Sequence, residues 1–156
     1  MGDVSTEVWF YHLDRWPLDQ ALPALLEKAM RRGWRAVVQA SSPERVDALD
    51  QALWTYDAAS FLPHGTMRDG DAGLQAVVIT TGVENPNGAA IRFMVDGAEA
   101  LPALRAEAYA RAVVMFDGND AEERGGARRQ WADLKRAGHG VAYWQQGEDG
   151  RWVKRG

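Results

Sequence analysis

The order of secondary-structure patterns constrains this chain more than any single motif does. Strand-like and helix-like segments alternate along almost all of its 156 residues. Strands rich in apolar and β-branched residues are predicted at 4–13, 34–40, 74–81, 90–95, 109–116 and 141–144. Because parallel strands need crossover connections that are usually helical, this alternation predicts an α/β fold. We expect a single Rossmann-like domain whose mostly parallel or mixed sheet is flanked by helices.

Residues that commonly start or terminate helices predict where the helices begin and end. An amphipathic helix is predicted over 17–32, and we expect it to begin near Leu22, with Pro23 in its first turn where proline is tolerated. Ser41 and Glu44 have capping-box spacing, which predicts the start of the next helix. Gly138 is expected to close the last helix, since glycine is common just beyond a helix end.

Composition limits the class of protein and its compartment. Apolar residues make up 46% of the chain, charged residues 26%, and the net charge is −4, as in ordinary soluble domains. There is no cysteine, which excludes disulfides and thiol chemistry and fits a reducing cytoplasm. No apolar run reaches membrane-span length. We therefore predict one cytoplasmic domain over 1–156, with a terminal hairpin at about 141–155 as an appendage.

The nucleotide chemistry common in such folds lacks its sequence signal here. The loop after the first strand reads HLDRWPLD and holds no glycine, so its backbone cannot wrap a pyrophosphate as a GxGxxG turn does. A GxxxxGK[ST] loop is also absent from the sequence. We therefore expect a Rossmann-like fold without a nucleotide-binding loop, and no cofactor or metal.

A basic helix is predicted near the carboxyl end, where residues 124–138 read RGGARRQWADLKRAG. Spacings of four and three place Arg124, Arg128 and Trp131 on one helical face. A cationic face beside an aromatic ring is typical of a receptor for a short anionic peptide. On the residues alone, solvated charges and a core-packed Trp131 are the simpler interpretation. The turn at 117–120 offers a good N-cap just before this helix, whereas the pair Gly125 and Gly126 favours a start nearer Ala127, which would leave Arg124 on a loop.

An enzymatic site is the alternative hypothesis. His12 and Asp14 follow the first strand, at the end where open α/β sheets usually bind ligands. A histidine oriented by a carboxylate could act as a general base in a small-molecule or hydrolytic enzyme. No GxSxG nucleophile motif accompanies the pair, so the ordinary interpretation of two polar residues at a strand end is favoured.

Three segments together resemble a known family. They read FYHLD at 10–14, DQALWTYDAASFLPHG at 50–65 and ARRQWADLKRAGHGV at 127–141. Over nearly the whole chain, the sequence resembles the chi subunit of bacterial DNA polymerase III holoenzyme, an accessory protein of the clamp loader. The most specific part is the LW pair followed by SFLPH, at the right distance from the basic helix.

The resemblance implies a non-catalytic adaptor of the replicative polymerase. Such proteins bind the acidic C-terminal tail of single-stranded DNA-binding protein, and a small subunit, psi, connects them to the clamp loader. By resemblance, Arg128 would pair with the carboxylates of the tail, assisted by Arg124. Trp131 and Trp54 would form the apolar pocket for the last phenylalanine of the tail, and Phe61 would face psi. DNA would then be contacted only indirectly, and no membrane is implied.

Overall fold

The computed structural model describes residues 6–55, 64–67, 71–147, 149 and 151–156, without the side chain of Trp54. The strands of the described part are β1 Glu7–Leu13, β2 Ala36–Gln39, β3 Gly65–Thr66, β4 Val77–Thr80, β5 Ile91–Met94, β6 Arg111–Asp117, β7 Val141–Gln146 and β8 Trp152–Lys154. Its helices are α1 Leu18–Arg31, α2 Pro43–Thr55, α3 Ala100–Ala106 and α4 Ala121–Arg136. None of the helices described is both long enough and apolar enough to cross a bilayer.

One open sheet unites all the strands that are described. Its order is β3-β4-β2-β5-β6-β1-β7-β8. Every neighbouring pair is parallel except β7 and β8, which form the predicted antiparallel hairpin. β7 lies inside the sheet, because it is also paired with β1. The predicted Rossmann-like α/β fold is confirmed.

Alternate strand residues supply two separate cores on the two faces of the sheet. On the first face, Tyr11 and Val113 pack with residues of α1 and α2, such as Leu26 and Leu49. We call it the α1–α2 face. On the second, the α3–α4 face, side chains from β1, β5 and β6 pack with residues of α3 and α4. Because successive side chains of a strand point to opposite faces, neighbouring residues of β1 serve different cores.

Two helices begin earlier than the sequence predicted. α1 begins at Leu18, and Pro23 lies inside it rather than in its first turn. α4 begins at Ala121, because the side chain of Asp120 accepts hydrogen bonds from the backbone N–H groups of Glu122 and Glu123 at 2.9 and 3.1 Å. This cap satisfies two of the free donors at the helix start. The expected start near Ala127 was therefore wrong, and Arg124 lies on the helix.

The glycine pair in α4 gives a prediction about stability. A Cβ built on Gly125 meets no atom within 4 Å, and the residue lies within a regular helix. Since glycine inside a helix costs roughly 0.5–1 kcal/mol relative to alanine, we expect Gly125→Ala to raise the free energy of unfolding by about that amount. Urea unfolding followed by tryptophan fluorescence measures it. A destabilised variant would show that this turn needs the freedom of glycine.

Candidate functional site

A groove opens on the α3–α4 face between α4 and the sheet. It has a volume of about 240 Å³. Its walls come from β1, β6, β7 and α4, and the lining residues are Phe10, Phe116, Arg124, Ala127, Arg128, Trp131 and Tyr143. Arg124, Arg128 and Trp131, which the sequence placed on one helical face, thus line one concave surface.

Aromatic rings form the floor of this groove. The ring of Trp131 meets Phe10 edge to face, with centroids 5.3 Å apart, and it meets Tyr143 in the same manner at 6.1 Å. Phe10 is buried, whereas Trp131 and Tyr143 are half-buried. Edge-to-face pairs are favoured arrangements that hold rings in place. The groove therefore has a fixed apolar floor that is partly open to solvent.

The sequence analysis missed three of the floor residues, namely Phe10, Phe116 and Tyr143. Strand register brings them together: Phe10 pairs with Tyr143 across β1 and β7, and His12 pairs with Phe116 across β1 and β6. Paired residues of neighbouring strands point to the same face. Their apolar character was visible in the sequence, but the strand order that joins β6, β1 and β7 was not.

The two groove arginines are held differently. Arg124 donates from Nη1 to the carbonyl oxygen of Gly118 at 2.7 Å. For Arg128, no hydrogen bond or ion pair is found in the part of the chain that the structure describes. Arg129, the next residue, instead points away and pairs with Glu99 at 2.5 Å and with Asp133 at 3.4 Å. Within the described residues, Arg128 is therefore a cation without a partner at the rim of an apolar groove.

His12 lies against Tyr143, one of the residues that line the groove. Nδ1 of His12 and the hydroxyl of Tyr143 form a hydrogen bond. Burial raises the pKa of Tyr143, and the nearby Arg128 and Arg124 act in the opposite direction. Gly118 must lack a side chain here, because a Cβ at that position would collide with the imidazole of His12. The backbone of Gly118 thus lies against His12 while it holds Arg124.

The position of His12 predicts a pH dependence of stability. Burial lowers its pKa below the usual 6.5, although Asp14 acts to raise it. The unfolded state therefore binds the proton more readily than the native state does. We expect the free energy of unfolding to rise with pH as the pH passes from the lowered pKa to about 6.5. Urea unfolding between about pH 5 and 8 measures the slope, and His12→Gln should flatten it. An unchanged slope in the variant would contradict this assignment.

The fold does not bring α2 to this groove. Trp54 lies in α2, which packs on the α1–α2 face through Val46, Leu49 and Leu53, whereas α4 packs on the opposite face. The side chain of Trp54 is outside the described part of the structure, and so is Phe61. The role of Trp54 in the tail pocket therefore stays a prediction. The role of Phe61 toward psi stays a prediction.

The alternative site at His12 and Asp14 lacks the expected geometry. His12 bonds with Tyr143, and the backbone carbonyl of Asp14 accepts from Asn119 Nδ2 at 3.0 Å. No hydrogen bond joins His12 to the carboxylate of Asp14 among the residues described. Asp14 instead lines a separate cavity of about 280 Å³, together with Asp96, Asp117 and Glu123. Among the described residues, no group of three or more His, Asp or Glu side chains is placed to hold a metal ion.

Comparison with known proteins gives an independent result. Residues 5–142 match the model of a family described as "DNA polymerase III chi subunit, HolC". A curated relative, "Probable DNA polymerase III subunit chi" of Rickettsia prowazekii (strain Madrid E), is 26% identical over 99 residues. The matched region spans 64% of this chain and about 60% of the length of that relative.

Proposed function

Because the chain belongs to the family of DNA polymerase III chi subunits, we propose that it is a non-catalytic adaptor of the polymerase III complex. In this proposal the groove on α4 binds the acidic C-terminal tail of single-stranded DNA-binding protein. Psi then links the adaptor to the clamp loader. The observation that carries the proposal is the guanidinium of Arg128, which has no partner among the residues described and lies beside a half-open aromatic floor.

The chemistry of the groove suits a peptide that ends in an aromatic residue. The terminal residue of such a peptide carries an aromatic side chain and a free carboxylate on one Cα. The ring would lie on the floor formed by Trp131, Phe10 and Tyr143, while the carboxylate would meet Arg128. A guanidinium presents a planar set of donors that matches a carboxylate, and its charge is constant at physiological pH. A chain end therefore fits better than an internal aromatic residue.

The second arginine adds a partly fixed charge. One nitrogen of Arg124 is already bonded to the carbonyl of Gly118, which limits the rotamers of the side chain. Its remaining N–H groups are available for an acidic side chain upstream of the terminal residue. Fixing a side chain before binding reduces the entropy lost on association. Arg124 would thus supply a second positive charge to the peptide, next to that of Arg128.

Contact with psi is the second part of the proposal. Phe61 is the residue that the resemblance assigns to this contact, and it follows α2, which packs on the α1–α2 face. The tail groove lies on the other face. α2 itself lies across the sheet from the tail groove, so a partner that binds at α2 would not compete with the tail.

Calorimetric titration tests the tail-binding function. An acidic peptide that ends in Asp-Ile-Pro-Phe is titrated into the protein at low and at moderate salt. We expect one site with a dissociation constant near micromolar, about −8 kcal/mol, which weakens as salt screens the charges. The same peptide with a C-terminal amide is the control, since it keeps the ring but loses the terminal charge. Absence of binding at high-micromolar concentration, or equal binding of both peptides, would contradict the proposal.

A further inference from the structure

A second aromatic surface lies on the α1–α2 face, away from the tail groove. Four rings form a row across neighbouring strands: Trp9 and Tyr11 on β1, Trp144 on β7 and Trp152 on β8. The ring centroids are 5.1 Å apart for Trp9 and Trp144, 6.3 Å for Trp144 and Tyr11, and 4.5 Å for Tyr11 and Trp152. The three tryptophans are half-buried. We call these four residues the tryptophan row.

Cations gather at one end of the tryptophan row. The guanidinium of Arg111 lies 3.7 Å from the ring centroid of Trp9 and 5.4 Å from that of Trp34. The guanidinium of Arg32 lies 4.0 Å from the ring centroid of Trp34, which Arg111 also approaches. Both arginines line a cleft of about 200 Å³ between α1 and the sheet, together with Lys28. A guanidinium stacked on a ring keeps its N–H edge free for an anion.

These cations are not neutralised by the described part of the protein. No ion pair of Lys28, Arg32 or Arg111 with a carboxylate is found there, and the buried Nε of Arg111 has no hydrogen-bond partner. Burial lowers the pKa of Arg111, the nearby Arg32 acts in the same direction, and Glu7 opposes both. The carboxylate of Glu7 accepts a hydrogen bond from Trp9 at 2.5 Å. Like charges held this close favour an anionic ligand.

The other end of the tryptophan row is also basic. Lys154 pairs with Trp144 across β7 and β8. Since cross-strand partners point to the same face, the exposed ammonium group of Lys154 lies on the side of the sheet that carries the row. Along the four neighbouring strands β6, β1, β7 and β8, the surface thus presents cations, then aromatic rings, then a cation.

The succession of cations and aromatic rings on this surface indicates the class of ligand that it binds. A carboxylate at a peptide end carries its charge at one point and would use one end of the row. Single-stranded nucleic acid repeats an aromatic base and a phosphate along its length, and proteins bind it through stacking rings beside a basic path. We propose that the tryptophan row, with Arg32, Arg111 and Lys154, binds a short segment of single-stranded nucleic acid.

The binding is local and depends strongly on salt. The whole chain carries a net charge of −4, so long-range attraction to nucleic acid does not assist it. The row and the tail groove lie on opposite faces of the sheet. Binding to the row is therefore independent of tail binding, and either one can fail without the other.

Fluorescence anisotropy of a labelled oligothymidylate, about 16 nucleotides long to cover the usual site size, tests the proposal. We expect saturable binding at low salt. In Arg32→Glu/Lys154→Glu, whose two sites are exposed, we expect affinity to fall at least tenfold. In Arg32→Ala, the slope of log affinity against log salt should fall by about 0.7, the value for one lost phosphate contact. The absence of saturable binding by the wild-type protein overturns the proposal.

A matched control separates the row from the overall charge. Arg105→Glu/Lys135→Glu makes the same change in net charge with exposed residues of α3 and α4, on the other face. We expect this variant to bind the oligonucleotide nearly as the wild type does. An equal loss in both variants overturns the proposal, and so does displacement of the oligonucleotide by the acidic tail peptide. The Arg32→Glu/Lys154→Glu variant should still bind that peptide, which shows that it is folded.

Discussion

Arg92→Met is expected to lower the free energy of unfolding by about 3–5 kcal/mol, because several buried acceptors lose their donor at a cost of about 1–3 kcal/mol each. Arg92 lies in β5 and is 0% exposed. Its guanidinium makes five hydrogen bonds to neutral acceptors. Methionine would fill much of the space but would satisfy none of these acceptors.

The acceptors belong to separate parts of the fold. Nε and Nη2 of Arg92 donate to Gln39 Oε1 at the end of β2, at 3.0 and 2.7 Å. Nη1 donates to the carbonyl of Glu84 at 2.9 Å and to the hydroxyl of Tyr109 at 3.1 Å, and Nη2 donates to the carbonyl of Gly82. One side chain thus joins β2, the loop that enters β5 and the loop before β6. Removal of Arg92 leaves several buried oxygens without a hydrogen-bond donor. The free-energy cost of these unsatisfied oxygens exceeds the gain from no longer burying a charge.

Urea unfolding of Arg92→Met, followed by circular dichroism, measures this loss. Tyr109→Phe is the matched control, because it removes only one of the five hydrogen bonds and should cost about 1 kcal/mol. If Arg92→Met unfolded within about 1 kcal/mol of the wild type, the network would not stabilise the fold as described.

Arg128→Ala is expected to weaken binding of the acidic tail peptide by about 10- to 100-fold, or roughly 1.4–2.7 kcal/mol. The side chain has no competing partner in the described structure, so its full set of donors is available to the peptide. Alanine leaves the terminal carboxylate beside an apolar wall without a donor. An unpaired charge at a desolvated contact is costly, which is why the loss should exceed that of a surface ion pair.

The next residue of α4 provides the control for this effect. Arg129→Ala removes the same charge from the same helix, but Arg129 is engaged with Glu99 and Asp133. We expect peptide affinity to change less than threefold, through long-range charge alone. Comparable losses in Arg128→Ala and Arg129→Ala would indicate general attraction to a basic helix rather than a defined contact.

Much of this arrangement was predictable because it depends on local patterns. The alternation of segments predicted the α/β fold, and the spacing of Arg124, Arg128 and Trp131 predicted a common face, both through short-range periodicity. The start of α4 was misplaced because the cap at Asp120 outweighs the cost of the two glycines. A local pattern shows that the cap favours one helix start and that the glycines favour a later one, but it does not show which effect is larger.

The rest depends on contacts between distant segments. The groove floor needs the order β6-β1-β7, which no local pattern determines. The same holds for Arg92, whose partners at Gln39 and Tyr109 are 53 and 17 residues away along the chain. A charged residue in a strand ordinarily indicates an exposed side, and its burial became apparent only from the folded chain.

Mapping of the bound tail peptide by nuclear magnetic resonance tests the central claim most directly. The protein is labelled with ¹⁵N, and its amide and indole signals are followed as the peptide ending in Asp-Ile-Pro-Phe is added. We predict that the largest shifts belong to the indole of Trp131 and to amides of 124–131 and of β7, with little change in the tryptophan row. Largest shifts on the α1–α2 face, or none in α4 at saturation, would contradict the assignment of the groove as the tail-binding site.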